Sequence, residues 1–90
     1  MTWFDVFWVF PDDADSEDQS NVDHIARHDL TPEDVEHALE NPLGPERRSR
    51  TSSRRVQTGF AIDGSIIDVV YEWLDDGVTL YPITAFRIDK

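Results

Sequence analysis

Apolar and polar residues alternate over residues 3–10, with Phe4, Val6, Trp8 and Phe10 on one side and Trp3, Asp5, Phe7 and Val9 on the other. Aromatic and β-branched residues at period two predict a strand covered on both faces, ended by Pro11. Residues 12–20, DDADSEDQS, hold Ala14 as their one apolar residue and predict a mobile, solvated loop. The period then changes. Val22, Ile25 and Ala26 have helical spacing behind a cap at Ser20 or Asn21, and this helix should end near His28 or Asp29. A second helix carries a fuller start signal: Thr31 as N-cap, Pro32 at the first helical position and Asp34 three residues after the cap. Leu30 and Val35 form a staple around that start, Val35, Ala38 and Leu39 face inward, and Asn41-Pro42 stops the helix.

Residues 42–53 read as a loop. Beyond it, Val56, Thr58, Phe60 and Ile62 alternate with Arg55, Gln57, Gly59 and Ala61, and Ile67, Val69, Tyr71 and Trp73 continue on a return strand. Asp63-Gly64 between them suits a two-residue type I′ turn, in which both positions need positive φ. Asp75-Asp76-Gly77 predicts the next turn and Val78–Ile88 the last strand. Pro82 in that strand has no ladder donor and belongs at an edge, an end or a bulge. These elements predict an α+β fold of order β-α-α-β-β-β, a small antiparallel sheet with two N-terminal helices packed on one face.

The chain's 90 residues support a single domain, 1–90, with a mobile acidic loop at 12–20 and a basic loop at 43–55. Charge is segregated. Residues 1–46 carry −12, residues 47–55 (RRSRTSSRR) carry +5 and residues 56–90 carry −4, which gives the net −11. The basic segment thus sets up a local field opposite to that of the molecule, and it is the expected grip for a phosphate-bearing ligand. The overall charge argues against diffuse binding to nucleic acid or anionic lipid and leaves room for one basic site or a basic partner. The chain has no cysteine, so no disulfide or thiolate chemistry is expected. No run approaches the ~18 apolar residues of a membrane span, and the N-terminus lacks the basic start of an export signal. The expectation is a soluble cytoplasmic protein, with no membrane partner and no cofactor.

The stretch HIARHDLTPEDVEHALENP, the strand pair GFAIDGSIIDVVYEW and the final YPITAFRI resemble the BrnT-like toxins over roughly residues 21–88. In that family the His corresponding to His28 is usually followed by Gly, where this chain has Asp29, a residue that tolerates a left-handed helix end at some cost. The resemblance implies a RelE-type fold, a metal-independent endoribonuclease and a partner antitoxin that silences it. It also implies a site. Arg87, in ITAFRI, would stabilise the cleavage transition state together with Arg55, and His28 would transfer protons. On the reading of the basic segment itself, Arg54, Arg50, Arg48 and Arg47 are the candidates to hold RNA phosphates.

Each candidate has a plainer reading. Alternation puts Arg87 beside Tyr81, Ile83 and Ala85, where it can simply pair with Asp68 or Asp89. The loop arginines can neutralise nearby acids, and His28 can sit against the negative end of a helix dipole. Tyr71 at a core position reads as packing, and Glu72 as a solvent-facing alternate. His24 and His28 are four apart on one helix, but no zinc motif accompanies them and no metal site is expected. The alternative function is a non-catalytic acidic protein-binding module on the same scaffold, meeting a basic partner.

Overall fold

The computed structural model describes residues 5–9, 20–48 and 54–88. The ends of the expected first strand, most of the acidic loop and Arg50 lie outside those residues. Seven elements follow in order: β1 (Asp5–Val6), α1 (Asn21–Ala26), α2 (Pro32–Glu40), β2 (Arg47–Arg48), β3 (Arg55–Phe60), β4 (Ile66–Trp73) and β5 (Thr79–Arg87). The fold is α+β, with one five-stranded sheet of order β1-β5-β4-β3-β2.

The sheet is larger than the small antiparallel one expected, and it is mixed. β1 runs parallel to β5, with Asp5 opposite Thr79 and Val6 opposite Leu80. The second difference is β2, two residues inside the expected basic loop, with Arg47 opposite Val56 and Arg48 opposite Arg55. Nothing in an arginine-rich, non-alternating stretch signals a strand. The free edge of β3 supplies the cause, since its unpaired backbone groups need partners and the adjacent chain is extended enough to provide them.

Local chemistry explains both helices. Ser20, not Asn21, caps α1: its side chain accepts a 3.1 Å bond from the Asp23 amide. Asn21 does other work. Its amide group accepts from Val9 N–H at 2.7 Å and donates to the Phe7 carbonyl at 2.9 Å, which ties α1 to the segment after β1. The end of α1 is closed by Leu30 N–H donating to the Ile25 carbonyl at 3.1 Å and Asp29 N–H to the Ala26 carbonyl at 3.0 Å, the paired closure of a Schellman end. Asp29 occupies the left-handed position at φ 61°. α2 starts as the sequence predicts, with Thr31 and Asp34 in a reciprocal capping box.

Both helices cover one face of the sheet. The core joins Ile25, Leu30, Val35, Ala38 and Leu39 from the helical region to Ala61, Ile67, Val69, Tyr71, Leu80 and Ala85. On β3 the covered residues are Gln57 and Gly59, while Val56 and Phe60 sit half-buried on the other side. The reason is close approach: a Cβ on Gly59 would lie 2.1 Å from the Ala38 carbonyl oxygen of α2. α2 lies so near the strand that only glycine fits beneath it.

The turn at Asp75-Asp76-Gly77 forms as expected; the type of the β3–β4 turn and the phase of one strand differ from expectation. Gly64 has φ 89° and Gly77 φ 72°, but neither Asp63 nor Asp76 has positive φ. The β3–β4 turn is therefore not type I′; a glycine alone supplies the left-handed residue. On β5 the register shifts, so that Val70 faces Thr84 while Tyr71 faces Pro82. Ile83 is the extra residue of this bulge, beside the proline that has no ladder donor. The phase of the strand changes there, and Arg87 lies on the helix-covered face with Ala85 and Pro82 and not with Tyr81 and Ile83. Tyr81 lies on the other face and meets the Phe7 ring at 5.9 Å.

Candidate functional site

The two ends of the sheet collect different chemistry. At one end, Arg87 reaches the turn that closes α1. Its Nη1 donates to the carbonyls of His28 and Asp29, each at 3.1 Å, and its Nη2 lies 3.4 Å from an Asp63 carboxylate oxygen. The guanidinium thus holds the exposed carbonyls of a helix end, a good location for a cation. Of the partners considered for Arg87 from the sequence, Asp68 takes Arg47 instead, and Asp89 lies outside the described residues. His28 is exposed, and its ring meets Phe86 at 6.2 Å. Arg87 touches the backbone of His28, not its imidazole.

At the other end is a cleft of about 390 Å³ between the end of α2, the loop after it and strands β3 to β5. Leu39, Pro42 and Leu80 form apolar walls, and Glu46, Gln57, Tyr71 and Trp73 bring the polar groups. Glu46 is the hub. One carboxylate oxygen accepts a bond from the Tyr71 hydroxyl and a 3.1 Å bond from the Trp73 indole N–H. The other lies 3.6 Å from Arg55 Nε. The Tyr71 and Trp73 rings stand nearly perpendicular, at 86°, with centroids 6.0 Å apart. Burial first, then the bond to the Glu46 carboxylate, pushes the Tyr71 phenol far above its usual range, so it stays protonated and acts only as a donor to Glu46.

The sequence candidates therefore separate. Arg55 lies opposite Tyr71, and Arg87 lies opposite Ile67, four residues further along β4 and two strands away from Arg55. Strand geometry puts their Cα atoms roughly 16 Å apart. Arg48 lies across from Arg55 at the cleft end. Arg54 pairs with Glu72 at 3.4 Å, and Arg47 bonds both Thr58 and Asp68, on the face of the sheet away from the helices. Arg47 thus stands apart from Arg48 and Arg55, and Arg50 lies outside the described residues.

Glu46 and Gln57 carry no sequence signal as site residues. Glu46 sits in a Pro-Gly loop before a basic run, and only the pairing of β2 with β3 brings it over Tyr71 and Trp73. His24 and His37 also find fold roles. Each sets Nδ1 against a sheet carbonyl, Ile83 at 3.1 Å and Phe60 at 2.7 Å respectively. A carbonyl only accepts, so Nδ1 is the protonated nitrogen in both rings. Among the described residues, no group of three or more His, Asp or Glu side chains is placed to hold a metal ion, and no helix is long and apolar enough to cross a membrane.

No family model, no curated protein and no solved structure matches this chain.

Proposed function

We propose that this chain is the toxin-like member of a toxin–antitoxin pair on a RelE-type scaffold, a metal-independent endoribonuclease that works at the Glu46 cleft. The observation that carries this reading is the meeting of the Arg55 guanidinium and the Glu46 carboxylate at the mouth of an aromatic-lined cleft, with Arg48 directly across the strand pair. A first strand, two helices on one face and a meander of strands also accord with what the resemblance to BrnT-like toxins implies.

The chemistry follows from the donor and acceptor set. The Glu46 oxygen that faces Arg55 takes the proton of a ribose 2′-hydroxyl. The freed oxygen attacks phosphorus, the bond to the 5′-oxygen breaks, and that oxygen takes a proton from water. Arg55 and Arg48 face the charge that grows on the phosphate. Tyr71 is a positioning residue that holds Glu46 in place. The test is cleavage of a mixed RNA substrate by purified protein. Glu46→Gln and Arg55→Met should each lower the rate by about 10²–10⁴ while the fold is kept. A wild-type protein that cuts no RNA sinks this reading.

A second reading, the non-catalytic acidic protein-binding module, has its own support. Arg47, Arg54, Arg55 and Arg87 each face a carboxylate, and Arg87 and His28 lie far from Arg55. Absence of cleavage, together with co-purification of a stoichiometric basic protein, would put this reading in place of the first.

A further inference from the structure

The interior of the Glu46 cleft offers acceptors, and among the described residues the side-chain donors that line it are already used. Gln57 is about nine-tenths buried. Both of its amide protons go to backbone carbonyls, Gly44 and Thr58, at 2.9 Å each. This fixes the orientation of the amide by its hydrogen-bond network, and the side-chain group this cleft-lining residue has left is an acceptor, the carbonyl Oε1. The Tyr71 hydroxyl and the Trp73 indole N–H both donate to one oxygen of Glu46. What remains for a guest is the amide oxygen of Gln57, the second oxygen of Glu46 and the apolar walls.

The interior of this cleft, behind the mouth where Arg55 would meet a phosphate, suits a guest that is rich in donors, partly apolar along its length and not anionic. An arginine side chain meets all three conditions, because its methylenes can lie along Leu39, Pro42 and Leu80 while its planar fork reaches two acceptors. The perpendicular rings of Tyr71 and Trp73 stand beside the carboxylate and hold it in place through their hydroxyl and indole N–H. The occupant already at the mouth is a guanidinium. Arg55 approaches Glu46 only to 3.6 Å and is about one-third exposed, which is a loose ion pair that an incoming arginine can displace. The net charge of −11 draws such a partner in.

We propose that the Glu46 cleft is the docking site for an arginine side chain presented by a basic segment of a partner protein. This rests on the existence of a protein partner and not on nuclease activity. Where the cleft also cuts RNA, the same arginine occupies the position of the substrate and silences it.

The experiment titrates the full chain with a short capped peptide holding one arginine among glycines, and with the same peptide holding citrulline, which keeps the shape and loses the charge. The indole N–H resonance of Trp73, assigned with Trp73→Phe, reports occupancy. The arginine peptide should bind about tenfold or more tightly than the citrulline peptide, and the difference should shrink as salt is raised. Glu46→Gln should abolish the difference. Arg55→Met, which removes the internal competitor, should enlarge it, and this opposite sign cannot come from a damaged fold. Equal binding of the two peptides, no perturbation by the arginine peptide, or perturbation by guanosine monophosphate alone each overturns the proposal, the last by assigning the cleft to RNA. Cleavage is measured separately, so a failed titration leaves the ribonuclease reading standing and a failed cleavage assay leaves this one standing.

Discussion

Arg87→Met tests whether Arg87 serves the fold. The substitution keeps the length and apolar stem of the side chain and removes its donors. Two donated bonds are lost, to the His28 and Asp29 carbonyls at 3.1 Å each. A hydrogen bond from a charged group contributes about 1.5–3 kcal/mol net when it is well shielded. Here the Arg87 side chain is 31% exposed, and His28 and Asp29 lie at the surface, so water takes over both carbonyls at small cost. The contacts to Asp29 and Asp63 carboxylates are exposed and add nothing to the figure. The expected loss is about 1–2 kcal/mol in all, which in a domain of this size lowers the melting temperature by about 5–15 °C. Urea denaturation should show the midpoint falling with the slope unchanged. Hydrogen exchange should quicken first at Asp29 and Leu30, whose amides close α1. A melting temperature within error of the wild type, with a loss of RNA cleavage measured on folded protein, would refute this reasoning and return Arg87 to the catalytic role expected from the sequence.

Gly59→Ala should destabilise the domain by about 2–3 kcal/mol or prevent folding, because the new methyl group meets the α2 backbone; the measurement is chemical denaturation of the soluble fraction. Asp29→Gly should raise stability by about 0.5–1 kcal/mol by relieving the left-handed strain at the end of α1, read as a rise in urea midpoint. The raised Tyr71 phenol predicts an alkaline limb: stability is fully present below the ordinary phenol value of 10.0 and falls as pH rises above it, because only the unfolded chain ionises there. In a Tyr81→Phe background, ultraviolet titration should show no folded-state phenolate before alkaline unfolding, and a normal titration would contradict the Tyr71–Glu46 bond. At the acid side, Asp76 is held below the usual carboxylate range by bonds from the Thr79 hydroxyl and from the Val78 and Thr79 amides. That stability is present above the ordinary carboxylate value and is lost as pH falls through the folded-state value. Asp76→Ala should lower stability at neutral pH and flatten the acid limb of a pH–stability curve.

The features legible in the sequence were those decided within a few residues. The capping box of α2 spans Thr31 to Asp34, and its partners are neighbours in the chain, so composition at fixed spacing was enough. The turn that closes α1 at Asp29, and the inward set Val35, Ala38 and Leu39, follow from the same short-range geometry. The inward alternation of Ile67, Val69 and Tyr71 was readable because a half-buried strand repeats every two residues.

What the sequence left open depended on which strands meet. Parallel pairing of β1 with β5, and the pairing of Arg47 and Arg48 with β3, are settled by the backbone of distant strands, and no side-chain pattern encodes them. The inner face of β3 went to Gln57 and Gly59, not to the more apolar Val56 and Phe60, because α2 passes too close for a side chain at Gly59. The bulge at Ile83 turned Arg87 to the helix-covered face and toward the end of α1, away from Tyr81. Charge and composition thus determined by themselves that cations are concentrated between residues 47 and 55. Only the tertiary structure decided which of them share a cleft with Glu46, since carboxylate, guanidinium and aromatic rings far apart in sequence become one site only when strand register brings them to the same end and face of a sheet.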